Sequence, residues 1–265
     1  MAEDGVALAS IVTQYVSAGL ILIHMGRQGD DCAFRLRDLK DGVDRSEEKR
    51  ILGLGIPAGL QNAIFAIANL FIQGAVNSFD SVMVEGNAAA ANADAVIYNV
   101  MAAFYTACST FMGQNLGAAK RHRVIKSYFI GIAYSFAAGA VLGAALFLFG
   151  REFLSLFANE EEVIEAGLQR TRIMCFSYAF SAFMDCTIAA CRGIGKSLAL
   201  TIIVIMGSCV FRVAWIYTVF AYFRTIPSLY LLYIFSWVIT AVAEMICFAV
   251  SYKKLNAAGS LSAYG

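Results

Sequence analysis

The chain has 265 residues, of which 60% are hydrophobic and 15% charged; its mean hydropathy is +0.68 and its formal net charge +1. Soluble domains carry about 25% charged residues, so the composition points to a membrane protein, and the near-neutral charge gives no global field for nucleic acid. None of the seven cysteines forms a Cys-x-x-Cys pair, the two histidines stand apart from them, and no Ser/His/Asp arrangement occurs, so neither a metal site, a cofactor nor an enzyme is indicated.

The N-terminal MAEDGVALAS places acids before its apolar run, the reverse of a secretory signal. Seven apolar spans follow, at residues 5–25, 51–79, 88–112, 127–149, 164–190, 198–223 and 229–252. Each holds about 20 residues or more, enough to cross ~30 Å as a helix, and none alternates as a membrane strand does. The predicted fold is therefore an all-α membrane protein of about seven transmembrane helices. Pro57 is expected in the first turns of the second span, and Pro227 at the last tight turn.

Loop charges set the predicted orientation. The segment 27–50 carries seven basic residues, and Lys120, Arg121, Arg123 and Lys126 follow span three. Arg192 and Lys196 follow span five, and Lys253 and Lys254 follow span seven. The opposite loops hold only Arg151 and Arg224 beside Asp80, Glu85, Glu152 and Glu160 to Glu162. The positive-inside rule then puts the N-terminus outside and the C-terminus in the cytoplasm of a multi-pass plasma-membrane protein. From an outside N-terminus without a signal, further helices upstream are expected. The expected organisation is a first helix at 1–25, a cytoplasmic linker at 26–50, a six-helix unit at 51–253 and a cytoplasmic tail at 254–265.

Polar residues within the spans are the candidate working parts. Asp94 lies in the third, where a carboxylate costs roughly 2.5–3.5 kcal/mol on insertion scales and so faces a cavity or a partner. Asn92 is beside it, and Tyr98, four residues on, falls on the same helical face. The fifth span carries Asp185, the sixth Arg212 and the seventh Glu244. Asp185 and Arg212 read equally as cavity groups or as a structural ion pair. Asn69, Gln73 and Asn99 read better as interhelical glue, at about 0.6 kcal/mol per bond. Tyr98, Phe104 and Tyr105 are candidates to line a drug cavity. An intramembrane carboxylate suits cation coupling: ionised it holds Na⁺, and as an acid–base group it takes up and releases a proton. Arg-Gly-Ile-Gly at 192–195 follows a helix and lacks the context of a nucleotide loop.

Several stretches resemble one family. PAGLQNAIFAIANLFIQGAVNSFD (57–80) resembles the seventh helix of multidrug and toxic compound extrusion (MATE) transporters. GNAAAANADAVIYNVMAAFYTACSTFMGQNLGAAK (86–120) resembles the eighth helix with its loop, CRGIGKS (191–197) the turn after the tenth, and FRVAWIYTVF (211–220) the eleventh. The resemblance covers nearly the whole chain. It implies the sixth helix, the interlobe linker and the six-helix C-terminal lobe of a twelve-helix protein. It further implies a Na⁺- or H⁺-coupled efflux antiporter for small cationic or amphipathic drug-like molecules, set in the lipid bilayer and working by alternating access with a missing N-terminal lobe. As this half alone the chain is expected to be inactive. Asp94 and Asp185 match acids of the eighth and tenth helices, and Gln61, Asn77, Asn92, Tyr98 and Arg212 match recurring positions. Phe65 and Ser181 stand where one branch has acids, so that branch's sodium site does not transfer. The alternatives are a lipid-linked precursor flippase, which would need a more basic cavity, and a seven-helix receptor-like protein.

Overall fold

The computed structural model describes residues 2–27 and 44–257. It is helical throughout, with no strand among the described residues. We number the helices α1 (Ala2–Arg27), α2 (Arg45–Val76), α3 (Ser81–Gly117), α4 (Arg121–Leu154), α5 (Glu161–Met174), α6 (Ser177–Gly193), α7 (Leu198–Phe223) and α8 (Ile226–Ala257). Six of these are long and apolar enough to cross a membrane; α5 and α6 together pass the same test as one span bent by 55°. The expected seven spans are thus present, with the fifth broken.

The chain divides into two compact units, Met1–Leu52 and Gly53–Gly265, and the division falls inside α2. In the first unit α1 exposes Leu8, Ile11, Tyr15 and Leu20, as a lipid-facing helix does. The expected linker at 26–50 lies in part outside the described residues, as do Cys32 and residues 258–265 of the expected tail. Its last stretch is helical. Asp44 accepts the Ser46 amide at 2.8 Å and opens α2 before the apolar run begins. Pro57 therefore sits inside α2 rather than in its first turns. Its missing N–H leaves one backbone bond of that helix unmade.

In the second unit α3, α4, α6 and α8 enclose a core of Met101, Met112, Tyr128, Tyr178, Leu232 and Trp237. The boundaries follow from local chemistry. Asp80 caps α3 by accepting the Met83 amide at 2.8 Å. After α6, Gly195 takes φ +73° and the Lys196 amide returns to the Cys191 carbonyl at 2.8 Å, a left-handed stop suited to glycine. Before α8, the Thr225 amide donates to Ser228 Oγ at 3.1 Å and the Ser228 amide to Thr225 Oγ1 at 3.3 Å, so the two cap each other around Pro227. Within α7, residues 205–210 and 216–220 are π-helical and flank Phe211–Trp215. The cysteines Cys108, Cys175, Cys186, Cys191 and Cys209 are free and buried, and Cys247 is partly exposed.

Close approach at small residues sets the position of the broken span. A Cβ on Gly143 of α4 would lie 2.2 Å from the Cys175 carbonyl oxygen at the break. A Cβ on Gly86 of α3 would lie 2.6 Å from the Gly167 amide of α5. Without aqueous collapse between helices, such van der Waals contacts carry much of the association. Gly143→Val should therefore lower the thermal midpoint of the detergent-solubilised chain, by an amount equivalent to about 1–3 kcal/mol of overpacking. Gly113→Ala, whose Cβ meets only the Gly193 oxygen at 3.5 Å, should leave it unchanged.

Candidate functional site

Two adjoining cavities lie among the helices of the second unit. One, of about 390 Å³, is lined by Asp94, Tyr98, Asp185, Arg212, Tyr233 and Trp237. The other, of about 360 Å³, is lined by Gln61, Asn62, Tyr105, Asp185 and Arg192. Both reach Phe65, Tyr105, Met184 and Asp185, so Asp185 stands where they meet.

The two acids differ in their surroundings. Asp94 is held by α5 and α6: Arg170 donates to its Oδ2 and the Tyr178 hydroxyl to its Oδ1. The Arg170 and Asp94 side chains are 7% and 15% exposed, a buried ion pair. Arg170 also donates to the Asn87 carbonyl at 3.5 Å and lies 5.4 Å from the Tyr230 ring, whose hydroxyl donates to Asn87 Oδ1 at 2.7 Å. Four helices, α3, α5, α6 and α8, meet in this network. Asp185 has no basic nitrogen within ion-pair distance among the described residues. Charged groups near enough to act on it include Arg212 and Arg192, and it acts in turn on Glu244.

Arg212 is 3% exposed and is held mainly by aromatic faces. Its guanidinium carbon lies 4.6 Å from the Tyr233 ring, 5.6 Å from Phe65 and 5.8 Å from Trp237, and its Nε donates to Ser236 Oγ at 3.0 Å. These rings give a desolvated cation a favourable seat without a carboxylate. The ion-pair alternative for Asp185 and Arg212 is therefore not adopted in this structure.

Five of the seven residues singled out from the sequence line these cavities: Asp94, Tyr98, Asp185, Gln61 and Arg212. Tyr98 packs edge-on against Tyr178 and Trp237, at 5.7 and 6.2 Å. Gln61 Oε1 lies 3.4 Å from both Arg192 Nη2 and Thr201 Oγ1. Asn92 and Asn77 line neither cavity. Asn92 donates to the Ala88 carbonyl of its own helix at 3.2 Å, and Asn77 accepts from Gln73 at 2.9 Å; both are exposed. Asn69 and Tyr105 line the cavities, whereas Phe104 faces a different groove.

Sequence reading missed Arg170, Tyr178 and Arg192. The available signal was an arginine inside an apolar span, which demands an acid nearby as strongly as Asp94 demands a base. Glu244 is fully buried on α8, and neither of its oxygens has a hydrogen-bond partner among the described residues.

The MatE family model matches residues 57–218. The chain is 29% identical over 134 residues to "Probable multidrug resistance protein YpnP" of Bacillus subtilis, covering 51% of the chain and 30% of that protein. It is 22% identical over 224 residues to "Probable multidrug resistance protein NorM" of Thermotoga maritima, covering 84% of the chain and 48% of that protein. Among solved structures, an outward-facing multidrug resistance MATE family transporter superposes with a TM-score of 0.82 at 20% identity, over 94% of this chain and 56% of that one. The MATE transporter ClbM in complex with Rb⁺ gives 0.68 at 21% identity, over 75% and 46%. The chain thus spans about half the length, or less, of the proteins it matches.

If the Arg170–Asp94 pair holds the broken span in place, Arg170→Met should destabilise the chain by about 3–5 kcal/mol, since it strands a buried charge. The double variant Arg170→Met/Asp94→Leu should recover most of that loss in thermal unfolding.

Proposed function

The chain belongs to the MatE family, a family of transporters rather than enzymes, and from that premise we propose that it forms the C-terminal half of a cation-coupled multidrug efflux antiporter in the plasma membrane. Basic loops would face the cytoplasm. A second six-helix lobe would complete the cavities and make alternating access possible. The substrates would be small cationic or amphipathic compounds, exchanged for Na⁺ or H⁺.

The observation that carries this reading is Asp185 at the junction of two cavities, with no ion-pair partner among the described residues. It is the carboxylate open to an incoming cation. Asp94 is already satisfied by Arg170 and Tyr178, so a cation reaching it must displace Arg170. This gives the two acids different roles: Asp185 receives the ion or the drug, and Asp94 reports occupancy by releasing or retaining the broken span. Tyr98 and Trp237 offer flat faces to amphipathic rings, and Gln61 and Arg212 border the same space. Asn92 and Asn77 enter this reading through the family pattern, outside the cavities.

Trp237 lines the cavity and supplies the readout. Titrating the purified chain with tetraphenylphosphonium should quench tryptophan fluorescence saturably, and Asp185→Asn should weaken binding about tenfold, ~1.4 kcal/mol. An identical curve for the variant would remove Asp185 from the site. In cells producing the chain together with a matching N-terminal lobe, Asp185→Asn should abolish ethidium efflux at unchanged protein level, whereas Asp94→Asn should lower the protein level as well, because it strands the buried Arg170. Efflux driven by an imposed Na⁺ or pH gradient would then identify the ion.

A further inference from the structure

A third region lies away from the two cavities, along the outer side of the α3–α4 hairpin. At the turn end, a cavity of about 610 Å³ is lined by Gln114, Asn115, His122, Arg123 and Lys126. Deeper along the same helices, an apolar cavity of about 280 Å³ is lined by Phe104, Ala107, Cys108, Gly131 and Tyr134. Phe111, Ser127 and Ile130 belong to both, so the two form one continuous groove with a basic head and an apolar tail.

The chemistry of each end is specific. Arg123 and Lys126 are exposed, and no carboxylate lies within ion-pair distance of either among the described residues. The neighbouring polar groups are turned inward: Asn115 donates to the Phe111 carbonyl at 2.7 Å and Ser127 to the Arg123 carbonyl at 2.8 Å. The cationic head therefore has no counter-ion among the described residues. At the far end Phe104 and Tyr134 stack at 6.0 Å with an interplanar angle of 24° and close the groove. From Lys126 to Tyr134 the helix rises about 12 Å, which fits within one leaflet of a ~30 Å hydrocarbon core.

We propose that this groove is a binding site for an anionic glycerophospholipid, its phosphate at Arg123 and Lys126 and one acyl chain between α3 and α4. A free anion would satisfy the head and leave the apolar tail empty. A neutral lipid would fill the tail and leave two cations unmatched. Only an anionic amphiphile uses both ends, and basic pockets at the cytoplasmic ends of transmembrane helices suit such headgroups.

Native mass spectrometry of the purified chain in a neutral detergent tests this, with phosphatidylglycerol, phosphatidylcholine and inorganic phosphate as probes. Phosphatidylglycerol should be retained about tenfold better than phosphatidylcholine. The preference should vanish in Arg123→Gln/Lys126→Gln. Ile130→Trp, which fills the apolar neck, should reduce retention of both lipids. Far-ultraviolet dichroism of each variant checks that the helices persist, and the exposed Arg123/Lys126 variant carries the test should Ile130→Trp unfold. Equal retention of the two lipids, or a preference that survives the Arg123/Lys126 variant, would overturn the proposal. So would displacement of phosphatidylglycerol by millimolar phosphate, which would reduce the site to an anion patch. A chain dimer that is abolished by the Arg123/Lys126 variant and carries no lipid would assign the groove to a protein partner.

Discussion

Arg170 is a permanent, buried cation on the first half of the broken span, and its pairing with Asp94 ties together the helices around it. The pair fixes α5 against α3, Tyr178 brings in α6 from beyond the break, and Asn87 with Tyr230 adds α8. Removed from water, such groups have to be satisfied by the protein, so the helices can vary little in register without stranding a charge. The glycines at 86, 143 and 167 serve the same arrangement, because they let the backbones come near enough for these bonds to form.

The break between Met174 and Ser177 gains its meaning from that cluster. On a straight helix Arg170 and Tyr178 would stand about 12 Å apart along the axis; here a 55° bend lies between them, and both reach Asp94. Broken spans are where membrane proteins place polar chemistry at depth, since the interrupted backbone is tolerated only against protein or a water-filled space. Here the interruption rests on Gly143, and the cavity containing Asp94 and Asp185 reaches Met174 at its edge.

The sequence made some of this legible and hid the rest for physical reasons. Span count and helical class were readable, because about 20 apolar residues in a row have few other uses. Asp94 with Tyr98 was readable from four-residue spacing. The break was not: the local sequence Met-Cys-Phe-Ser carries no proline or glycine, and what accommodates it, Gly143, is over 30 residues away. Arg170 was overlooked as Asp94's partner because 76 residues separate them. The early start of α2 was masked by charges at 45–50, which suit an exposed helical turn as well as a loop. Asn77 and Asn92 looked like cavity groups, since a single sequence does not say whether an amide is satisfied by its own helix.

The seat of Arg212 carries a consequence of its own. The faces of Tyr233, Phe65 and Trp237 are the features a lipophilic cation would seek in this cavity, and a resident guanidinium already occupies them. Guest and host therefore compete for one set of π-electrons. Under the efflux function proposed above, an arriving cation would gain those rings only as Arg212 gave them up, and Arg212 lies on the short α-helical stretch between two π-helical segments of α7. On that proposed function, recognition in this pocket would be an exchange of cations on aromatic faces, in which the wall has to yield for the guest to enter.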